Sequence, residues 1–345
     1  MNALDFNIEV VSRFLSDNNI PIKTVSQEVF IKQMTELGYW QQWVEFVDMI
    51  NNKFFGDYQK FLDYYYDIRE KMITALKNPS YEAFNTGDMS MYDVRHVDYN
   101  NVSKSVWNHM NDGGYFISVD LKKANFQALK YVNPKIVLDC NSWDEFCRKF
   151  TDCDYIINSK YTRQVVFGQL NPSRHTTVER HMMRMIYEHI KANGILGGLI
   201  GTGIIKLCAV CVDELVFKTD ESTAEIFTKS RMDENITDSI MRDLGFDVRV
   251  SVFKSNEYHL IAKNSEKSSG KDMCTFYLKT SLQNGSRTFM CVPQTYNSIV
   301  YKLSHGQNVE ECDMHFVYEG IDCIFNETFF ITDTDKNIIP KILEL

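Results

Sequence analysis

At 345 residues, with 44% hydrophobic and 24% charged side chains, the chain is long enough to bury a large core and has an ordinary globular balance, which excludes a fibrous or low-complexity protein. A net charge of −9 argues against a surface that coats nucleic acid by charge alone, though not against a local basic groove. Nine scattered cysteines, an odd number, point to reduced thiols in a cytosol-like compartment rather than a disulfide framework.

Residues 1–80 read as helical. Apolar and aromatic side chains recur at helical spacing through Val29 to Leu37, Trp40 to Ile50 and Tyr58 to Leu76, and Asn78-Pro79 stops the last run. Tyr64-Tyr65-Tyr66 reads as a helix burying one or two tyrosines, with a base-stacking surface as the sharper alternative. Asp5 and Glu9 stand where a signal peptide would be basic and then apolar, and no apolar run reaches membrane-spanning length, so no membrane partner is expected. Residues 81–114 are polar and irregular, with Gly87 and Gly113-Gly114 as breakers, and read as a connector.

From Tyr115 to Asp120 an apolar run ends in a carboxylate, which reads as a strand. A short helix follows from Lys122 to Tyr131, ended by Asn133-Pro134, and Ile136 to Leu138 reads as a strand. Ser142-Trp143-Asp144-Glu145 has the form of a capping box and starts a helix through Phe150. Residues 159–191 carry the next helical pattern, broken at Asn171-Pro172. Here Lys160, Arg163, Arg174, Arg180, Arg184 and Lys191 face only Glu179 and Glu188 as opposing charges. This reversal of sign suits a phosphate-facing surface as well as a solvated helix face. His175, His181 and His189 in the same segment read as surface or phosphate-facing rather than metal-binding.

Gly197 to Gly203 reads as a loose turn. Leu207 to Asp220 then reads as a buried hairpin with Asp213 and Glu214 at its turn, and its Cys208 and Cys211 read as core thiols. A helix from Glu234 to Leu244 and strands from Asp247 to Phe253 and Tyr258 to Ala262 follow. Beyond them lie short β-like runs at Cys274 to Lys279, Thr288 to Val292, Ile299 to Leu303, Met314 to Tyr318 and Phe329 to Thr332, with a hairpin signal at Asn284-Gly285. The expected class is α+β: an antiparallel sheet with helices on one face, preceded by a helical region and followed by a β-rich one. A buried ionised carboxylate needs a compensating cation. Asp120 and Asp213 at two strand ends are the pattern that two-metal phosphoryl transfer requires. No phosphate-binding Gly-rich loop with a following Lys-Ser or Lys-Thr occurs, and no Gly-x-Ser-x-Gly elbow.

Val212-Asp213-Glu214-Leu215-Val216-Phe217 resembles the A-family DNA polymerase motif His-Asp-Glu-Leu-Val-Phe. Asp120-Leu121-Lys122-Lys123-Ala124-Asn125-Phe126-Gln127-Ala128-Leu129 resembles that family's first palm motif. Between them Lys160, Arg163, Phe167 and Gly168 resemble the nucleotide-binding fingers helix, and His181 to Gly194 resembles the palm helix before the second carboxylate. The resemblance covers roughly residues 115–220 and implies a palm over 115–268, with reduced fingers at about 155–191 and a β-rich region over 269–345. It also implies a template-dependent nucleotidyltransferase acting on a primer–template and nucleoside triphosphates. Asp120, Asp213 and the Leu121 carbonyl would hold two Mg²⁺ ions, or Mn²⁺, with Glu214 as a supporting carboxylate. Lys160 and Arg163 would grip the triphosphate, Phe167 would stack on the nucleotide beside Gly168, and Arg174, Arg180 and Arg184 would face nucleic acid. Asn125 stands where the family has a glutamate that helps exclude ribose, and Asn171 where it has a tyrosine, which leaves the choice of sugar open. Val212 replaces the family histidine. Leu244-Gly245-Phe246 followed by Val252-Phe253-Lys254 resembles instead a segment of reverse transcriptases and viral RNA polymerases, in which Lys254 would be a proton donor. A palm that binds nucleic acid or protein without catalysis is a third alternative. The wealth of Asn, Lys and Ile suits a viral, phage or mobile-element gene.

Overall fold

The computed structural model describes residues 7–18, 20, 27–36, 38–92, 102–263, 271–318, 321–325 and 327–339. The part of the expected connector at 93–101 lies outside the described residues. The chain opens with α1 (Ile8–Asp17), α2 (Gln27–Glu36), α3 (Trp40–Phe54), α4 (Tyr58–Leu76) and α5 (Pro79–Thr86). Short polar side chains start several of these helices by accepting otherwise unpaired N–H groups. Asn7 accepts from Glu9, Asp57 from Lys60, and Asn78 from Ser80 and Tyr81, with Pro79 pre-set at the first helical position. Their apolar faces meet in an aromatic core, with Phe14 edge-on to Trp43 at 5.2 Å and Phe46 edge-on to Phe61 at 5.8 Å. Of the tyrosine cluster, Tyr65 is 2% exposed and Tyr66 43%, so the helix buries one ring fully and leaves another in solvent.

The central part runs β1 (Tyr115–Leu121), α6 (Ala124–Val132), α7 (Trp143–Arg148), α8 (Asp154–Asn158), α9 (Lys160–Gly168), α10 (Pro172–Ala192), α11 (Gly194–Gly201), β2 (Lys206–Val210) and β3 (Glu214–Thr219). It continues through α12 (Glu221–Lys229), α13 (Met232–Leu244) and β4 (Val248–Lys263). After β4 come β5 (Lys271–Ser281), β6 (Arg287–Met290), α14 (Asn297–Ser304), β7 (His315–Tyr318), β8 (Ile321–Ile324) and β9 (Thr328–Asp333). The described strands form a seven-stranded sheet in the order β2-β3-β1-β4-β5-β6, with β9 also on β4, and the named neighbours are antiparallel. A separate β7–β8 ribbon lies outside it. The expected α+β class with an antiparallel sheet is therefore present. Within it, β1 through β4 make a split βαββαβ unit: the β2–β3 hairpin packs on one edge of β1, and β4, which returns after α12 and α13, on the other.

Alternation sorts the faces of this unit. Ile117, Val119 and Leu121 of β1, with Leu215, Phe217, Val248, Val250 and Val252, join the main core shared with α6, α10 and α13. On the other face Phe116, Val216 and Phe253 form a smaller cluster with Val106, and Trp107 packs against it.

Several elements differ from the sequence reading. Pro134–Val137 is a 3₁₀ turn rather than a strand, because Asn133 caps it at Lys135 and Pro134 fixes its first residue. The glycine run forms α11, folded back on the end of α10; a Cβ on Gly197 would meet the Lys191 carbonyl at 2.7 Å, so the close approach requires glycine there. Ile299 to Leu303 lies in α14, with Ile299 and Val300 buried in a second core beside Leu260, Phe276 and Ile331. The two strands expected around Ser255 are one strand of 16 residues. Its middle is held by backbone donation from Ser255 to the Gly114 carbonyl at 3.0 Å and from Glu257 to Asp112 Oδ1 at 2.8 Å.

Candidate active site

The register of the sheet builds the site. Asp120 pairs with Glu214 on β3 and with Arg249 on β4, so the three side chains form one row across the face opposite the helices. The row lies beyond the Phe116–Phe253 cluster, and Ser118 occupies the step between. Arg249 Nη2 donates to Asp120 Oδ2 at 2.7 Å, and the Ser118 hydroxyl donates to Glu214 Oε1. Asp213 sits at the tip of the β2–β3 hairpin, which closes by donation from Cys211 N to Glu214 O at 2.8 Å. Its own carbonyl accepts from Leu121 N at 2.9 Å, which locks the hairpin tip to the end of β1. The two aspartates separated by more than 90 residues in sequence are thus fixed side by side by main-chain bonds.

Electrostatics show how crowded the carboxylates are. Burial pushes Asp120 up to about 6; the Arg249 guanidinium opposes that, while Asp213 and Glu214 add to it. Burial also raises Asp213, helped by Glu214 and opposed by Lys160. A further carboxylate lies on the helix side of the sheet and acts on Asp213. Glu179 on α10 is 5% exposed, and burial, together with Asp213, pushes it up to about 7. Its Oε1 has no hydrogen-bond partner. On the cationic side, burial lowers the Lys279 ammonium on β5, opposed by Glu214 and Asp120.

The sequence-derived residues divide accordingly. Asp120 and Glu214 face each other across β1 and β3, Leu121 locks Asp213 beside them through the backbone, and Lys160 is near enough to favour the charged form of Asp213. Lys254 is not: it pairs with Tyr115, on the helix-facing side of the sheet at the other end of β1, with its ammonium 5.2 Å from the Tyr115 ring. The expected proton donor therefore points away from the carboxylates, because alternation assigns Lys254 to the opposite face from Arg249. Phe167 is corrected likewise. It is 2% exposed and packs against Trp143 at 5.4 Å and His175, so its ring is a core side chain without a face open to a nucleotide. Gly168 is exposed with open space around its Cβ position. Arg163 is half-buried beside Asp144 and Cys147, and Asn125 is half-buried on α6. Arg174 donates to the Gly87 carbonyl and lies over the Phe84 ring at 5.3 Å, which ties α10 to α5. Arg180 is exposed on α10, and Arg184 is half-buried near His181.

Sequence reasoning missed Glu179, Arg249 and Lys279, although two of them left a signal. Glu179 stands at helical spacing with the apolar stripe Met182, Met183, Ile186 and Ile190, an odd place for a carboxylate. Arg249 alternates with Val248 and Val250, which puts it on the polar face of β4. Lys279 became visible only through the β4–β5 register.

Among the described residues, no three His, Cys, Asp or Glu side chains are grouped as a metal ion would need. The chemistry of the set still suits a hard cation. The donors are carboxylate oxygens, burial and mutual repulsion disfavour their charge, and Glu179 Oε1 is buried without a partner. A cation beside Asp120 and Asp213 would relieve their repulsion, and Arg249 now supplies part of that relief at Asp120. Cys140, Cys147, Cys153, Cys208, Cys211, Cys274 and Cys291 are free thiols, and no described helix is long and apolar enough to cross a membrane. Comparison of the chain with protein-family models, with curated proteins and with solved structures gives no match.

Proposed function

We propose that the chain is a template-dependent nucleotidyltransferase with a compact polymerase-type palm, extending a nucleic-acid 3′-hydroxyl from nucleoside triphosphates. The observation that carries this reading is the backbone-locked pair of Asp120 and Asp213 at adjoining strand ends of a split βαββαβ sheet. Two Mg²⁺ ions, or Mn²⁺, would supply the acidification of the hydroxyl and the neutralisation of the triphosphate. Asp120, Asp213 and the Leu121 carbonyl would hold them, with Glu214 kept in place by Ser118. Lys160 would neutralise phosphate charge beside Asp213, and Arg249 and Lys279 would face the nucleic-acid backbone on the flank of Asp120. Arg180 and Arg184 would add to that field.

A second reading has its own support. Arg249 occupies one oxygen of Asp120, and Phe167 is packed into the core, which suits a palm that binds nucleic acid or protein without catalysis. The reverse-transcriptase-like reading loses the support of Lys254, given its place on the opposite face. Primer extension with all four pairings of DNA or RNA template and deoxy- or ribonucleotide, in Mg²⁺ and in Mn²⁺, separates them. We expect extension, and a loss on the order of 10³-fold in Asp120→Asn or Asp213→Asn with an unchanged circular dichroism spectrum. Undiminished incorporation in either variant refutes the transfer reading. No extension from any pairing, with salt-dependent binding retained, establishes the binding-only palm.

A further inference from the structure

We propose that the cleft between the β2–β3 hairpin and residues 102–111 is a docking site for the sugar–phosphate backbone of a single nucleic-acid strand, held by Lys206 and Lys218. Arg249 and Lys279 stand on the β4–β5 side of the carboxylate row, so this pair of cations on the β2–β3 side is separate from them. That the 3′ end of the strand lies at Asp120 and Asp213 rests on the transfer reading above; the affinity of the cleft for the strand does not.

The register of the sheet makes the pair. Lys206 on β2 stands directly opposite Lys218 on β3, and Lys218 opposite Phe116 on β1, which puts both lysines on the sheet face that carries Asp120 and Glu214. Like charges directly opposite one another are unfavourable, and an anion between them relieves that. Lys218 Nζ donates to the Met110 carbonyl at 3.3 Å and to Asn111 Oδ1 at 3.0 Å. Both acceptors are neutral, so the ammonium is positioned without its charge being cancelled. Lys206 is exposed. The two lysines line a cleft of about 510 Å³ with Ser103, Asn108 and Thr219, and among the described residues no carboxylate lines it, in a chain of net charge −9. Met110, 85% exposed, and Ile204, 45% exposed, flank the cations. Apolar side chains beside two ammonium groups suit a strand, whose bases cover the former while its phosphates meet the latter, better than a bare phosphate.

Geometry also joins the cleft to the carboxylates. Glu214 and Lys218 are four residues apart on one face of β3, about 13 Å at the rise of a strand. Val216 between them is covered by Val106 and Trp107, so a bound strand passes along the β2 edge instead. Lys104 stands on that edge. It is exposed, its carbonyl accepts from Cys211 Sγ at 3.1 Å beside the hairpin tip, and the neighbouring Ser103 bridges to Ala209. At about 3.4 Å per stacked nucleotide, a strand ending at Asp213 crosses the lysine pair about four nucleotides back.

The test is fluorescence anisotropy of labelled single strands, oligothymidylate and oligouridylate of about twelve nucleotides, with the full chain over a series of salt concentrations. Each lysine that neutralises one phosphate adds about 0.7 to the log–log salt slope, so Lys206→Gln should make the slope shallower by that much and weaken binding about five-fold at about 0.1 M salt. Adding Lys218→Gln should about double the change in slope. Lys71→Gln, which removes the same charge from an exposed pair on α4, should leave binding unchanged. If the variant lacking Lys218 does not fold, Lys206→Gln decides. Absence of strand binding overturns the cleft, as does unchanged affinity in Lys206→Gln or an equal loss in Lys71→Gln. Lys206-dependent binding of poly-glutamate, with neither strand bound, would make the partner an acidic protein segment and overturns it too. Lysine-dependent strand binding without primer extension leaves the cleft standing and removes the transfer reading. Extension that is abolished in Asp120→Asn but keeps the same KM for primer in Lys206→Gln does the reverse.

Discussion

Side chains in this molecule are set by the face on which alternation or helical spacing places them. Asp120 and Asp213 were legible because each ends or interrupts an apolar run, where a carboxylate has no ordinary reason to be. Arg249 is as close to Asp120 as any group described, yet the sequence gives it only a place on an alternating strand; its partner follows from register. The stripe on α10 that carries Glu179 also carries His175, which is 0% exposed and packed among Tyr81, Phe84 and Phe167. Burial lowers its pKa to about 4, from an ordinary value of 6.5. Below pH 6.5 the unfolded chain takes up a proton that the folded chain refuses, so stability is lost as pH falls from 6.5 towards 4. The contribution is at most about 3 kcal/mol. Asp120 and Glu179 act in the opposite sense, since their raised values favour the folded state as pH falls. Comparing the natural chain with His175→Gln isolates the histidine: urea unfolding at pH 7 and pH 5 should show a smaller loss of stability in the variant. An equal loss in both would mean that His175 titrates normally.

Elements whose ends are marked by local chemistry were legible, and those that depend on distant partners were not. Asn78-Pro79 and Ser142 cap helices as their residue types require, and Asn284-Gly285 turns β5 into β6. The polar stretch Ser255-Asn256-Glu257 reads as a break between two strands, but β4 passes straight through it. The reason lies far away in sequence. β1 and β9 share one edge of β4, and the gap between them is filled from the connector by Gly114 and Asp112. Asp112 accepts from Glu257 N through one oxygen and from Thr334 Oγ1 at 2.8 Å through the other, so one side chain stands in for a missing piece of strand. Asp112→Ala would leave the N–H of Glu257, a residue 5% exposed, without its acceptor. A loss of about 1–3 kcal/mol is expected, read as a lower urea midpoint at unchanged slope. Asp112→Asn keeps an acceptor oxygen and should recover most of it. If alanine and asparagine behave alike, Asp112 does not bridge the gap.

The same strand decides how the whole molecule holds together. Val248, Val250 and Val252 of β4 belong to the main core, and Leu260 and Ala262 belong to the second core with β5, β9 and α14. Nothing local in the sequence marks that sharing: both halves show apolar alternation, and only the unbroken ladder joins them. A continuous strand transmits loss of order from one core to the other, so the two should unfold as one unit. Ser255 lies at the join, is 0% exposed, and donates its N–H to Gly114. Ser255→Pro removes that donor and sets a ring against a buried ladder, at a cost of about 3 kcal/mol or more. The tryptophans at 40, 43 and 143 pack in or against the main core and Trp107 alone of the four reaches β5, at Tyr277 (6.2 Å), so tryptophan emission reports mainly the first core, whereas far-UV circular dichroism senses β5 and β9 in full. In the natural chain the fluorescence and circular dichroism transitions in urea should therefore coincide. In Ser255→Pro they should separate, with part of the circular dichroism signal lost before tryptophan emission changes. Separate transitions in the natural chain, or a single coincident transition in the proline variant, would show that β4 does not couple the two cores.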